Sequence, residues 1–286
     1  MEKYSFPRRI WRIINPLLIY IGITLVVGVA AGVAIGVYIG VNDAISGGFP
    51  DPMELAADLQ RLVTEYSMHI LIAGNIAALA VFVPMWLKAR KRIEPFKNAN
   101  PFTHNLLAIG LFAAFNLVLQ CVIGIFDLLR FFPSYEVVSD AISGGSLLMQ
   151  VISLGVAAPV IEELCFRGVL MERMKWIPVW LAVFIQALMF GAAHLNLFQG
   201  IYAFVIGIVL ALVYVKFRSI ITVVIGHAAF NIINVVQDLI FDEPNVFIVL
   251  LPSVAVAAVC GALLIKRPAA HKLEDNDSSA LQSQDA

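Results

Sequence analysis

IINPLLIYIGITLVVGVAAGVAIGVYIGV, residues 13–41, is an apolar run well beyond the about 20 residues that carry a helix across a bilayer. Arg8, Arg9 and Arg12 precede it. A cleaved signal peptide has a shorter apolar core and a small-residue cleavage site, so the run reads as a first membrane span that stays in the protein. Gly28, Gly32, Gly36 and Gly40 recur every four residues along it, a spacing that lets another helix approach closely.

Outward from this run the same signal repeats. Candidate spans lie at 14–41, 68–88, 105–129, 144–172, 177–195, 199–217, 219–240 and 246–265. The chain is 60% hydrophobic and 14% charged, with a mean hydropathy of +0.89, against about 45–50% and about 25% in soluble domains. These values exclude a soluble globular enzyme. A net charge of -1 gives no basis for a nucleic-acid partner. Cys121, Cys165 and Cys260 all sit in apolar stretches and form no disulfide framework.

Charges in the connections test the span count. Lys and Arg gather on the cytoplasmic side of short loops. The N-terminus, the 88–97 loop, the Arg173/Lys175 turn, the Lys216/Arg218 turn and the segment after Lys266 are basic. The loops at 43–65, 130–140 and 242–243 are acidic, and the turn near Leu195 has no cation. The expected fold is therefore an all-α polytopic membrane bundle of about eight transmembrane helices, both termini cytoplasmic. Residues 1–265 form one integral membrane domain, and the polar 266–286 tail is expected to be disordered. Residues 51–66 read as a short amphipathic helix. Short loops and the lack of a targeting sequence point to a bacterial or archaeal plasma membrane.

Ionisable residues inside spans are costly and are functional candidates. Glu162, Glu163 and Arg167 lie in APVIEELCFRG (158–168), His194 ends FGAAH, and His227 and Asn231 lie in GHAAFN. Glu163 and Arg167, four residues apart, share a helix face in the favoured acid-before-base order. Glu162 points about 100° away and has no cation on its own helix. Pro159 removes a backbone donor and tends to kink the span. His227 and Asn231 stack on one face, as do Phe190 and His194. A carboxylate, two imidazoles and an amide suit amide hydrolysis, with a base for water and donors for the oxyanion.

Asp127 and Asp238, near span ends, read as structural. Asn75, Asn116, Gln120, Gln150, Gln186 and Asn234 read as interhelical hydrogen bonds. Along their helices Glu162, His227 and Asn231 lie about 12–18 Å from the cytoplasmic turns and His194 about 25 Å. The site is thus expected in the cytoplasmic half or middle of the bilayer, with His194 the outlier.

The ordered set EExxxR (Glu162, Glu163, Arg167), FxxxH (Phe190, His194) and HxxxN (His227, Asn231) resembles the CPBP family of intramembrane proteases. That family includes the type II CAAX prenyl endopeptidases and the Abi, bacteriocin-processing proteins. The resemblance covers about residues 144–240. It implies a membrane-embedded endopeptidase acting on a peptide or membrane-protein substrate. Glu162 and His194 would activate water, His227 and Asn231 would form the oxyanion site, and Glu163 and Arg167 would brace the helix. The family has also been called metalloproteases, and Glu162, His194 and His227 could ligate zinc. With no HExxH helix, a metal-free glutamate mechanism without cofactor is favoured. A non-catalytic scaffold or immunity protein on the same fold is the alternative. A proton-coupled transporter would call for internal repeats, and none is detected. The sequence selects no substrate and no oligomeric state.

Overall fold

A computed structural model describes residues 4–48, 51–90, 101–143, 145–240 and 246–269. The tail from residue 270 on, the cations at 91–97, the acids at 242–243 and the Asp238 side chain lie outside the described residues. The described residues are helical, without strands. Ten helices are used below: α1 (Phe6–Ile45), α2 (Pro52–Glu65), α3 (Ser67–Arg90), α4 (Pro101–Ile125) and α5 (Tyr135–Ser143), then α6 (Leu147–Met171), α7 (Val179–Ala192), α8 (Leu197–Phe217), α9 (Ile220–Ile240) and α10 (Val246–Lys266).

Seven of these, α1, α3, α4, α6, α8, α9 and α10, are long and apolar enough to cross a membrane. The protein is an integral membrane protein with an all-helical fold. The expected fifth span, 177–195, is the exception. It forms only the 14-residue α7, about 21 Å long at 1.5 Å per residue. Ile177 and Pro178 precede α7, and Ala193 and Leu195 follow it. These are as apolar as the helix itself, so composition extends the span where the backbone does not. Leu195 turns the chain at φ 56, an uncommon conformation for a residue with a branched side chain. α2 forms as expected, and Asp51 caps it by accepting from the Met53 N–H at 2.8 Å.

Tertiary contacts define two ends of the bundle. At one end, Arg9 lies over the Trp176 ring at 5.1 Å, and Arg173 donates to Arg12 O at 2.8 Å and to Asn15 Oδ1 at 2.6 Å. There too Lys216 Nζ donates to Ile265 O at 2.8 Å. These contacts join both terminal helices to the 172–178 segment and to the last turn of α8; this is the terminal end. At the opposite end, Ser67 Oγ donates to Ala141 O at 2.9 Å and Asn196 Nδ2 to Ser134 O at 3.2 Å.

α6 is the axis of the fold. It packs on α3 and α9, while α7 pairs with α8, and α4 packs against α9 and α10. Ile161, Phe166, Val169 and Leu170 of α6 are fully buried, with Phe82, Phe112 and Leu210 among the residues of the same core. α1 lies mostly exposed. Nothing lies within 4 Å of where a Cβ would stand at Gly28, Gly32, Gly36 or Gly40, so among the described residues that stripe receives no close helix.

The close approach falls instead between α7 and α8. A Cβ on Gly191 would stand 2.5 Å from the Gly200 carbonyl oxygen, a backbone atom that cannot rotate away. Gly191→Ala is therefore expected to cost about 1–3 kcal/mol by overpacking and to move the chain three residues before His194. Thermal unfolding in detergent checks the first effect, and cleavage activity the second.

Candidate active site

α6 is not a uniform α-helix. Its 151–157 and 164–171 segments are π-helical, flanking an α-helical Ala158–Glu163. Such wide turns often accompany functional sites. Here one has an identifiable cause and effect. Ala158 N–H bonds Ser153 O, five residues back. The next bond in that register would run from residue 159 to Leu154 O, but Pro159 has no N–H. Leu154 O accepts instead from Asn231 Nδ2 of α9 at 2.8 Å. Pro159 thus frees a carbonyl, and that carbonyl orients the Asn231 amide.

The two glutamates separate as their spacing predicts. Glu163 is fully buried and accepts from Arg167 Nη1 at 2.7 Å. Arg167, also fully buried, donates through Nη2 to Gly207 O of α8 at 3.1 Å and lies 4.8 Å over the Phe190 ring of α7. One guanidinium therefore ties α6 to both neighbours. Phe190 also meets the His194 and His227 rings edge-on, at 5.0 and 5.8 Å.

His227 lies between the two carboxylates, bonded to Glu163 and facing Glu162. Its Nδ1 lies 2.8 Å from Glu163 Oε1 and its Nε2 3.6 Å from Glu162 Oε2. Glu163, paired with Arg167, is an acceptor, so Nδ1 carries the proton and Nε2 is turned toward Glu162. The sequence reading of Glu163 as paired with Arg167 alone is therefore incomplete. His194 Nδ1 lies 2.8 Å from Phe190 O. A carbonyl only accepts, so Nδ1 is the donor in this bond and Nε2 is left free of it.

Glu162, Phe190, His194, His227 and Asn231 all line one cavity of about 500 Å³. The depth mismatch of His194 has a plain cause. The short α7 stops about 9 Å before a hydrocarbon core of about 30 Å is crossed, so the residue just past its end stays within the membrane thickness. The cavity is also lined by Tyr135, Val138 and Ile142 of α5 and by Phe198 at the start of α8, all at the opposite end. These residues extend the cavity toward the end of the bundle opposite the termini.

Sequence reasoning missed Tyr20. Its hydroxyl donates to Glu162 Oε1 at 3.4 Å, and with Glu162, His194 and Gln199 it lines a second cavity of about 120 Å³. The available signal was a phenol in the middle of an otherwise apolar run. Tyr20 acts here as a positioning residue. Tyr20→Phe is expected to lower kcat by about tenfold or less, the scale of one hydrogen bond, with the melting temperature little changed.

The remaining polar residues divide. Gln120 pairs with Asn234 as expected, and Gln150 donates to Ser143 O at 3.1 Å. The expected interhelical bonds are missing for Asn116 and Gln186, whose buried side-chain atoms have no partner among the described residues. Asp127 is exposed and lies 3.8 Å from Arg130. The cysteines are free.

A helical membrane protein with a buried carboxylate–histidine cluster opening on a cavity is the class that fold and site define. Within it, residues 144–233 match the family model Rce1-like, type II CAAX prenyl endopeptidase. The match spans all three motifs, agrees with the CPBP resemblance, and supports a membrane-embedded protease at the level of the family. No curated protein and no solved structure matches the chain.

Proposed function

We propose that the chain is an intramembrane endopeptidase in which Glu162 and His194 activate water and His227 and Asn231 hold the oxyanion. The observation that carries this reading is the convergence of these four side chains, from three separate helical segments, on one cavity. Glu162 accepts a proton from water, and the Nε2 lone pair of His194 orients that water. The hydroxide adds to the substrate carbonyl carbon. His227 donates to the oxyanion only when Nε2 carries a proton, because its Nδ1–H is committed to Glu163. Glu162, facing Nε2, is the group that shares a proton with it. Asn231 offers its second amide N–H, the first being spent on Leu154 O. The shared proton finally passes to the leaving amine nitrogen as the C–N bond breaks. Glu163 and Arg167 hold the His227 ring and the helix in place.

Zinc fits this arrangement poorly. Among the described residues no three His, Cys, Asp or Glu side chains are gathered so as to hold a metal ion, and no step above is routed through one. Cleavage by the purified protein is expected to persist after exhaustive chelation.

Comparative peptidomics of cells carrying the wild type or Glu162→Gln tests the reading. Peptides or protein termini that depend on Glu162 are expected. An unchanged peptidome with an unchanged cellular phenotype would instead favour a scaffold role. A second experiment separates the two functions of Asn231. Asn231→Ala is expected to lower activity about 10²–10³-fold, as for one oxyanion donor. Pro159→Ala restores an N–H for Leu154 O. If Asn231 were only a brace, the double variant would regain activity; as an oxyanion donor its loss persists.

A further inference from the structure

We propose that the two cavities divide the reaction between them: the cavity of about 500 Å³ takes the substrate, and the cavity of about 120 Å³ stores the attacking water, with Gln199 as the residue that positions it. The inference deepens the protease reading and rests on it for the identity of the reaction.

Volume separates the two roles. Ligand pockets run to about 300–1,000 Å³, a range that contains the large cavity and excludes the small one. A single water needs about 10–15 Å³, so the small cavity has room for a cluster of waters and none for a peptide. Its lining suits water as well. Tyr20, Glu162, His194 and Gln199 bring polar groups to it, which covers the about 2–4 partners that a held water requires. Its aromatic walls are fixed edge to face, with Phe166 6.2 Å from the Tyr20 ring and 5.0 Å from the Phe190 ring.

The two cavities share a border. Glu162, His194 and Gln199 line both, whereas Tyr20 and Ala193 line the small one alone and His227 and Asn231 the large one alone. The Glu162 carboxylate is placed accordingly. Its Oε1 accepts from the Tyr20 hydroxyl at 3.4 Å, and its Oε2 lies 3.6 Å from His227 Nε2. One oxygen thus meets a residue of the small cavity, and the other a residue of the large.

A divided site answers a physical requirement. A peptide that fills the large cavity expels water from it, yet hydrolysis consumes water. Water kept in the small cavity stays when substrate binds, touches Glu162 and His194, and approaches the carbonyl carbon from a side that His227 and Asn231 do not occupy. The Gln199 side chain is hydrogen-bonded to Tyr202; an amide has several donor and acceptor sites, so it can hold a water too. In the attack, the water oxygen bonds to the carbonyl carbon and its proton passes to Glu162. That proton ends on the leaving amine as the C–N bond breaks.

Hydroxyl-radical footprinting by short radiolysis in detergent uses water itself as the probe and needs no catalysis. Phe166 and Phe112 are both fully buried, and of the two only Phe166 lines the small cavity. Phe166 is expected to be oxidised and Phe112 to stay unmodified. Ala193→Leu adds bulk at a position that lines only the small cavity. It is expected to remove the Phe166 label and to lower kcat about 10²-fold, the scale of a misplaced reactant, with KM little changed. The kinetic substrate is a peptide carrying a cleavage site that depends on Glu162. Should that variant not fold, Gln199→Leu, close in size and unable to bond water, is expected to lower kcat about tenfold, the scale of one hydrogen bond. Phe166 as unreactive as Phe112 overturns the proposal. Unchanged kcat in a folded variant, with Glu162-dependent cleavage intact, overturns it while leaving the protease reading standing. A labelled Phe166 with no Glu162-dependent cleavage anywhere sinks the protease reading and the proposal with it.

Discussion

Glu162→Gln is expected to reduce cleavage about 10²–10⁴-fold, the contribution of a positioned general base, with little effect on folding. Gln keeps the size of the side chain and can still accept from the Tyr20 hydroxyl, so the packing around α6 is preserved. What is lost is the ability to take a proton from water and share it with His227 Nε2, 3.6 Å away in the native site. Initial rates and detergent melting curves, measured on the same preparation, check both halves of the statement. Full retention of activity would remove Glu162 from the mechanism.

The second large effect is on stability. Arg167→Met is expected to destabilise the protein by about 3–5 kcal/mol, because it strands a buried carboxylate. Glu163 would keep His227 as its donor and lose the guanidinium. The carbonyl of Gly207 and the face of Phe190 would lose theirs as well. Adding Glu163→Gln removes the stranded charge, so the double variant is expected to recover part of the loss. Unfolding curves of the wild type, the single variant and the double variant measure this. Additive losses would show that Glu163 and Arg167 are not coupled.

How far the sequence could be read follows from which interactions are local. Glu163 and Arg167 are four apart on one helix, so their pairing is a property of helical periodicity and survives even a π-helical stretch. The FxxxH and HxxxN spacings place Phe190 with His194 and His227 with Asn231 for the same reason. Tyr20 reaches Glu162 across 142 positions, and no local period encodes that contact. The Asn231–Leu154 bond depends on a π register, which hydropathy does not report. The end of α7 was illegible because apolar residues continue through the turns on both sides. The glycine stripe of α1 had the right spacing for close packing, yet spacing alone names no partner.

The short α7 has one more consequence. Trp180, Phe184 and Leu188, successive at four-residue intervals, are exposed along one side of it, so this face meets lipid. A helix of 14 residues is too short to match the surrounding acyl chains. Hydrophobic mismatch of this kind is relieved by local thinning of the bilayer, at a fraction of a kcal/mol per ångström. The thinned lipid lies beside the helix that ends two residues before His194. Acyl-chain length is thereby a variable of the enzyme's environment: lipids of shorter chains relieve the mismatch at α7, and lipids of longer chains increase it.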